Sequence, residues 1–384
     1  MPGSAASSKR PLVVRCGAFG DMVLITALIH ELAQQFGCEV DVVTSGPWSA
    51  PLLRGQPGVG EILSVRSRKA PYWLSVDQQR VVRRLRARGP GPTWYCDGND
   101  AARPLLTRAG VPDRFIVEVK DHPLLPGEHA TQQWRRLAHI MPPALTTAPE
   151  SASAAAVRAP ASGCAPAFAS GPAAGLADFA ALAAPGGCCL EVSDAQRDDL
   201  ERWLPTRLPS APLIAIQAGN KRTMRRGLRR LAVNHKYWPN ERWALVLRHL
   251  RARHPGHAIV LLGAVPEYGL NEELAALAGI ARLYNVADDL PVTRLIALLA
   301  RAEGLVTVDS GPAHAAAAVG CPQVVLFGNA STSLYRPWGT SGADVKVLTG
   351  RIDGEPSMLG IGPGEVAAAW DALRLRPTRA SYPE

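Results

Sequence analysis

The chain has 384 residues, of which 47% are hydrophobic and 20% charged, with a formal net charge of +9 at pH 7. This composition is typical of a globular protein with two ordinary domains and excludes a disordered or fibrous chain. The excess of Lys and Arg favours an acidic partner: nucleotide phosphates, nucleic acid or an anionic membrane surface.

Residues 1–10, MPGSAASSKR, predict a disordered tail, and the apolar run that follows is too short for the core of a signal peptide. No run approaches the roughly 18 apolar residues of a membrane-spanning helix. Seven cysteines without a CxxC spacing predict reduced thiols rather than disulfides or a zinc site. We therefore expect a cytoplasmic protein, with peripheral contact at the inner membrane left open.

The first half alternates strand and helix patterns, which predicts βαβ units and a parallel sheet. The order is strand LVVRC, helix MVLITALIHELAQQF, strand CEVDVVTS, a helical and charged stretch to Arg88, and strand TWYCDG. Residues 141–187 are rich in Ala, Pro, Ser and Gly, which indicates a flexible linker, although Phe168 and Phe179 favour partial packing. We predict an N-terminal Rossmann-like domain over residues 11–190.

A second alternating series begins at Leu213 and predicts a C-terminal Rossmann-like domain over residues 191–384. Its strands are LIAIQAGN, AIVLLG, LYNV, LVTV and QVVLFG, and its helices are ERWALVLRHLRARH, NEELAALAG, PVTRLIALLARAE and a last helix, GPGEVAAAWDALRL, ending near Arg376. Asp288 and Asp289 precede one of these helices, and we interpret them as helix caps. Two doubly wound domains in tandem are the simplest account.

Asp21, in CGAFGDMVL, lies where a strand turns into a helix. One interpretation is a helix N-cap that contributes about 1 kcal/mol, and the other is a general base at the mouth of a cleft. Gly17 and Gly20 allow close approach of the backbone, but GAFG does not match the dinucleotide fingerprint GxGxxG.

The stretch from Asn220 to Pro239 is basic. Six cations recur about every four residues, so that in a helix they would form one stripe: Lys221, Arg222, Arg225, Arg226, Arg229 and Arg230. There are three interpretations: a solvated face, a docking surface for anionic lipid or a phosphate-bearing glycan, and a nucleic-acid-binding surface. The last is disfavoured because no aromatic residues interleave the arginines. Lys236 stands apart, immediately before a helix pattern, where its ammonium can meet phosphate.

Two further turns follow strands of the second series. Glu267, in LLGAVPEYG, suits ribose hydroxyls or an adenine amino group, or is a solvated loop carboxylate. In DSGPAH, residues 309–314, Gly311 and the amides after Pro312 could cradle a diphosphate, with His314 as a hydrogen-bond donor or as a structural residue. Motifs of P-loop nucleoside triphosphatases, zinc proteases and α/β-hydrolases are absent from the sequence.

Together these motifs resemble the ADP-heptose:lipopolysaccharide heptosyltransferases, glycosyltransferase family 9. The resemblance covers residues 11–65 and 211–376 and is carried by GAFGDMVLITALIHEL, NHKYWPNERW, LLGAVPE, VDSGPAHAAAAVGCPQVVLFG with YRPWG after it, and SMLGIGPGEV. It implies an α/β fold of the GT-B type, two Rossmann-like doubly wound domains facing a central cleft. It also implies an inverting transfer that uses no metal and no cofactor.

The resemblance assigns roles residue by residue. Asp21 matches the general base, Lys236 the lysine that meets the diphosphate, and Glu267 the acidic residue near the nucleoside. Asp309 matches the aspartate beside the donor sugar. The diphosphate-binding turn contains Ser310, Gly311, Ala313 and His314, and the acceptor-side candidates are Gly20 and Asp97. Residues 231–234 depart from the family, whose members often carry Thr or Ser shortly before the lysine.

We therefore predict a glycosyltransferase that moves a heptose from ADP-heptose to a glycan or glycolipid such as the lipopolysaccharide core. One alternative keeps the fold with another nucleotide-sugar donor, or with a protein or small-metabolite acceptor. The other is a non-catalytic basic module that binds nucleotide or nucleic acid. Because Asp21, Lys236 and Asp309 are all present, we favour the enzyme and expect no nucleic-acid partner.

Overall fold

The computed structural model describes residues 10–68, 70–146, 187–220, 234–339 and 342–377, and the backbone of 224–225 and 228–229. The chain divides into two compact units, Met1–Gly186 and Gly187–Glu384. The expected N-terminal tail and nearly all of the Ala/Pro-rich stretch lie outside the described residues. Within the described ranges, no helix is long and apolar enough to cross a bilayer.

The N-terminal unit is built on a parallel sheet of five strands in the order β3-β2-β1-β4-β5. The strands are β1 (Leu12–Val14), β2 (Val40–Ser45), β3 (Val59–Val65), β4 (Thr93–Tyr95) and β5 (Ile116–Glu118). The helices are α1 (Phe19–Leu24), α2 (Thr26–Phe36), α3 (Ser49–Leu53), α4 (Val76–Arg88), α5 (Arg103–Ala109), α6 (Ala130–Ala138) and α7 (Pro143–Thr146).

Successive side chains of β4 point to opposite faces of the sheet, and helices cover both faces. Tyr95 packs in a cluster with side chains of α4 and α5, whereas the neighbouring Trp94 lies edge-on to Phe36 of α2 and donates through Nε1 to the carbonyl of Leu137 in α6. Strands buried on both faces are near-continuous apolar runs, and LVV and TWY have this pattern.

The C-terminal unit contains a parallel sheet of six strands in the order β10-β9-β6-β11-β12-β13. Its strands are β6 (Leu213–Gln217), β9 (Ala258–Leu261), β10 (Leu283–Asn285), β11 (Gly304–Val308), β12 (Gln323–Phe327) and β13 (Val345–Thr349), with the short antiparallel pairs β7 (Met224–Arg225) with β8 (Leu228–Arg229) and β14 (Arg351–Ile352) with β15 (Glu355–Pro356). The helices are α8 (Asp194–Arg207), α9 (Asn240–Arg253), α10 (Tyr268–Ala278), α11 (Val292–Arg301), α12 (Gly311–Ala318), α13 (Thr332–Tyr335) and α14 (Pro363–Asp371).

The strand order reverses once in each sheet, between β1 and β4 and between β6 and β11. At such a reversal the two connections leave the sheet in opposite directions and open a crevice outside the carboxyl ends of the strands. Ligands of open α/β sheets bind in this crevice. The residues that follow β1, β4, β6 and β11 are therefore the positions at which to look for a site.

Several predicted elements are wrong in detail. The stretch before Arg88 contains strand β3. The basic stretch is not helical where it is described, since β7 and β8 pair antiparallel there. The first long helix is divided at Ile25, where the hydroxyl of Thr26 donates to the carbonyl of Val23 at 2.6 Å, a back-bond that bends helices. The last helix ends at Asp371 rather than near Arg376.

The aspartates at 288 and 289 do not cap a helix. Asp288 forms a salt bridge of 2.7 Å with Arg207, and Asp289 accepts from Trp203 Nε1 at 2.8 Å. Helix α11 instead begins after Pro291, with no side-chain cap. The two carboxylates therefore attach α8 to the sheet.

Candidate functional site

An ion pair between a buried aspartate and a partly exposed lysine lies at the strand reversal of the C-terminal unit. Asp309 directly follows β11 and is buried, and its Oδ2 lies 2.6 Å from Nζ of Lys236. The backbone N–H of Asp309 donates to the carbonyl of Leu326, which holds the turn against β12. A buried carboxylate needs a partner, and Lys236 stabilises Asp309 in this way.

The backbone around Lys236 is held from several directions. Asn220, which follows β6, donates through Nδ2 to the carbonyl of Lys236 at 3.1 Å, and the Lys236 N–H donates to Oδ1 of Asn234 at 3.2 Å. A Cβ on Gly328 would lie 2.2 Å from the carbonyl oxygen of His235, so only glycine permits this close approach. Asn220 is not singled out by the sequence, where it is the last residue of the predicted strand LIAIQAGN, and a side-chain amide at that end is the one signal for it.

The turn after Asp309 leads into helix α12. Ser310 is the N-cap residue, and its hydroxyl lies 3.2 Å from that of Thr307 rather than on a backbone N–H of the helix. The N–H groups of a first helical turn have no partner within the helix and give its end a partial positive charge. This first turn contains Gly311, Ala313 and the buried His314, and it begins two residues after Asp309. The arrangement offers donors and a cation to an anion.

Glu267 is buried rather than solvated, which makes its interpretation as a solvated loop carboxylate wrong. Only 8% of the residue is exposed, and Oε2 accepts from the N–H of Ala264 at 2.9 Å. Its Oε1 is buried and has no hydrogen-bond partner among the described residues. Burial raises the pKa of this carboxyl, and the bond from Ala264 offsets part of that rise.

A pocket adjoins the Glu267 carboxylate. The side chain lies against Gly219, at which a Cβ would come within 2.1 Å of Oε1. The pocket is lined by Ala218, Gly219, Tyr237, Trp238, Asn240, Glu267, Leu270, Asn271 and Leu274. Walls of mixed polar and apolar residues, with a buried carboxylate oxygen that has no partner among the described residues, suit a partly polar ligand that presents hydroxyl or amino donors.

Asp21 lies at the strand reversal of the N-terminal unit, in the first turn of α1 rather than at the N-cap. Its Oδ2 accepts from the N–H of Ala18 at 2.8 Å, and its Oδ1 lies 3.2 Å from Nη2 of Arg15. The side chain is 38% exposed and therefore open to a ligand. Arg15 also donates to the carbonyl of Cys96 at 2.6 Å and lies over the Trp134 ring. Arg15 is not singled out by the sequence, where it lies inside the predicted strand LVVRC, and a cation near the carboxyl end of that strand is the one signal for it.

Asp97 follows β4 on the other side of the same reversal. Its Oδ1 accepts from the N–H of Cys16 at 2.7 Å, and its Oδ2 lies 3.0 Å from Nη1 of Arg68. Both oxygens are thus used in holding the ends of β1 and β4 together. Gly20 precedes Asp21 within α1. The acceptor-side roles of Gly20 and Asp97 remain predictions.

Comparison with known proteins identifies the segment that carries the ion pair and α12. The family model described as glycosyltransferase family 9 (heptosyltransferase) matches residues 227–350. Lipopolysaccharide heptosyltransferase 2 of Salmonella typhimurium is 30% identical over 118 residues, 30% of this chain and 33% of that protein. Lipopolysaccharide heptosyltransferase 3 of Escherichia coli is 32% identical over 112 residues, 28% of this chain and 31% of that protein. The matched segment thus spans about a third of the length of these curated relatives.

Solved structures match over nearly the whole chain. The ADP-heptose lipopolysaccharide heptosyltransferase II of Escherichia coli has a TM-score of 0.65 and 20% identity, covering 94% of this chain and 98% of that one. The family 9 glycosyltransferase of Veillonella parvula has a TM-score of 0.69 and 16% identity, covering 97% and 98%. An Escherichia coli heptosyltransferase solved with ADP has a TM-score of 0.62 and 18% identity, covering 94% and 99%. The GT-B fold class predicted from the sequence is confirmed.

Proposed function

We propose that this chain, in which residues 227–350 match the glycosyltransferase family 9 model, is an inverting, metal-independent glycosyltransferase. It moves a heptose from ADP-heptose to a hydroxyl of a glycan or glycolipid such as the lipopolysaccharide core. The observation that carries the proposal is the Lys236–Asp309 pair at the start of α12, which lies at the strand reversal of the unit that contains the family match.

Glycosyl transfer builds negative charge on the departing diphosphate while the sugar becomes oxocarbenium-like. The proposed mechanism places the diphosphate against Lys236 and the first-turn amides of α12, which stabilise that charge without reorganisation. Asp309, partner of the lysine, then lies beside the donor sugar. The unpaired Oε1 of Glu267 accepts hydrogen bonds from the nucleoside in the adjacent pocket.

The acceptor hydroxyl must lose a proton as it attacks the sugar. Among the two aspartates at the strand reversal of the N-terminal unit, Asp21 fits a general base better than Asp97. Both carboxylates have their two oxygens engaged by neighbouring groups, so exposure decides between them: the Asp21 side chain is 38% exposed, whereas that of Asp97 is buried. In this proposal acceptor activation belongs to the N-terminal unit and donor binding to the C-terminal unit.

The choice of ADP-heptose rests on the similarity to heptosyltransferases. The same site chemistry would serve another nucleotide-sugar donor, and the acceptor would then be a different glycan, a protein or a small metabolite. We include in the proposal a glycolipid acceptor at an anionic membrane surface, with peripheral contact of the enzyme.

Calorimetric titration of the purified protein with ADP, UDP, GDP and a short oligonucleotide, with no metal added, tests the proposal. We expect ADP to bind most tightly and the oligonucleotide not to bind. Preference for UDP or GDP would keep the enzyme and replace the donor. Binding of the oligonucleotide alone would contradict the enzymatic function.

The variant Glu267→Gln tests the nucleoside contact. It keeps an acceptor for the Ala264 N–H but removes the charge, and we expect ADP affinity to fall about tenfold or more, since a hydrogen bond to a charged group contributes about 1.5–3 kcal/mol. Inorganic pyrophosphate, which has no nucleoside, should bind both proteins equally. If the variant weakens pyrophosphate as much as ADP, Glu267 does not contact the nucleoside.

The raised pKa of Glu267 adds a pH signature to this test. The carboxylate accepts two donors only when ionised, and burial means that protonation begins at a higher pH than in an ordinary glutamate. As the pH falls through this raised pKa, ADP affinity of the unmodified protein should decline before that of Glu267→Gln, whose amide does not titrate. Parallel profiles for the two proteins would argue against the contact.

A further inference from the structure

An exposed apolar turn precedes helix α4 and has no role in the chemistry above. Trp73, Leu74 and Val76 are 74%, 62% and 64% exposed. All nine tryptophans of the chain lie in the described ranges, and Trp73 alone is exposed. Three large apolar side chains within four residues of each other are more than the scattered surface apolar residues of an ordinary protein.

Side-chain hydrogen bonds from α4 hold the backbone of this turn and of the loop before it. Residues Tyr72–Leu74 form a single 3₁₀ turn. The side-chain amide of Gln79 donates to the carbonyls of Tyr72 and Trp73, each at 3.1 Å, and that of Gln78 donates to two carbonyls of the preceding loop at 2.7 and 3.0 Å. The Tyr72 ring packs under the guanidinium of Arg108. The backbone is therefore fixed by its own hydrogen bonds, and the apolar side chains are presented to solvent on a preformed support.

A positively charged face of α4 follows this apolar turn in the chain. Val76, Arg80 and Arg83 stand at i, i+4 and i+7, so they share a face, and all three are exposed. The helix carries five arginines and one acidic residue, Asp77. Arg84 and Arg88 are paired with acidic residues of the sheet, whereas no ion pair of Arg80 or Arg83 is found within the described part of the chain.

We propose that Trp73, Leu74 and Val76 insert into the headgroup layer of an anionic lipid bilayer while Arg80 and Arg83 bind lipid phosphates. Trp and aliphatic side chains beside a basic helix face are the composition of interfacial membrane contacts, in which an apolar edge enters the lipid and cations meet its phosphates. The net charge of +9 favours such a surface. The inference rests on the proposed function in one respect: a membrane contact would bring the enzyme to a glycolipid acceptor.

Co-sedimentation with vesicles tests this contact on the full chain. We expect binding to vesicles of phosphatidylethanolamine with phosphatidylglycerol, and much weaker binding to phosphatidylcholine alone. The double variant Trp73→Ser/Leu74→Ser should lose at least about tenfold in partition, since each side chain gives up burial in lipid. Arg80→Gln/Arg83→Gln should lose about fivefold per charge removed, and only with the anionic vesicles.

Matched controls come from the C-terminal unit. Leu245→Ser removes a leucine that is 50% exposed, and Arg202→Gln removes an exposed arginine, and both should bind vesicles as the unmodified protein does. Quenching of tryptophan fluorescence by brominated lipid should disappear in Trp73→Phe. Quenching that persists in this variant would place the contact elsewhere and overturn the proposal, as would equal sedimentation of the double variants and the unmodified protein.

Failure of this inference can be told from failure of the proposed function. ADP affinity and the rate with a soluble acceptor fragment do not involve the turn and should be unchanged in all of these variants. Loss of vesicle binding with ADP binding intact supports the inference, whereas vesicle binding without selective ADP binding would leave the contact standing and remove the proposed donor.

Discussion

Replacement of Asp21 by alanine should abolish transfer while donor binding remains nearly intact. General-base catalysis contributes about a hundredfold to ten-thousandfold, so kcat/KM for transfer should fall by a factor in this range. ADP binds to the other unit in our proposal, and its affinity measured by calorimetry should not change. The two readouts together separate a chemical role from a binding role.

Asp21→Asn is the matched control. Asparagine keeps an oxygen that can accept from the Ala18 N–H at the start of α1, whereas alanine loses this bond at a cost of about 1 kcal/mol of stability. Asparagine cannot take a proton from the acceptor, so we expect the same loss of transfer. Thermal stability should fall less than in Asp21→Ala, because the partly exposed ion pair with Arg15, which asparagine also loses, contributes at most about 1 kcal/mol. Substantial transfer by Asp21→Asn, or an equal loss of transfer and ADP affinity in both variants, would refute the assignment of the base.

The variant Lys236→Ala should weaken ADP binding by about tenfold to a hundredfold, because it removes a charged hydrogen bond to the diphosphate. Adenosine carries no phosphate and should bind as before. Transfer should fall by more than ADP affinity, since the lysine also stabilises the charge that develops on the leaving group. Calorimetry with the two ligands and steady-state transfer rates make the comparison, and unchanged ADP affinity would count decisively against this role.

This variant has a structural side effect that needs its own control. Asp309 is buried and lies 2.6 Å from the Lys236 ammonium, so alanine leaves a carboxylate without its partner, and loss of one member of a buried pair costs about 3 kcal/mol or more. The double variant Lys236→Ala/Asp309→Asn removes this charge as well and should regain thermal stability. ADP affinity should stay low. If it returned together with stability, the lysine would be a structural residue only.

The sequence predicts the layered α/β architecture well because the alternation of apolar strands with amphipathic helices is a local pattern. It fails where geometry depends on residues distant in the chain. The break of the first helix at Ile25 and the strand β3 within a charged stretch leave little trace in periodicity. The pairing of β7 with β8 likewise overrides the spacing of the arginines, which would suit a helix.

The candidate site, too, is predicted from the sequence in its local features and not in its long-range contacts. Turns that follow strands are visible in the sequence, and Asp21, Glu267 and Asp309 were selected on that basis. Their surroundings were not visible. The burial of Glu267 against Gly219 and the contact of Arg15 with Asp21 arise only when separate strands are brought side by side. The exposure of Trp73 is likewise not apparent from the sequence.

Helix α12 restricts how this protein can change over evolution. Ala313 and Ala315–Ala318 are all buried, and neighbouring backbone comes so close that a Cβ on Gly339 would lie 1.8 Å from the carbonyl oxygen of Ala317. Side chains larger than alanine would overpack this space, at a typical cost of about 1–3 kcal/mol each. A change of donor preference therefore has few routes through the helix itself. We expect divergence to be concentrated in the loops that flank the site rather than in α12.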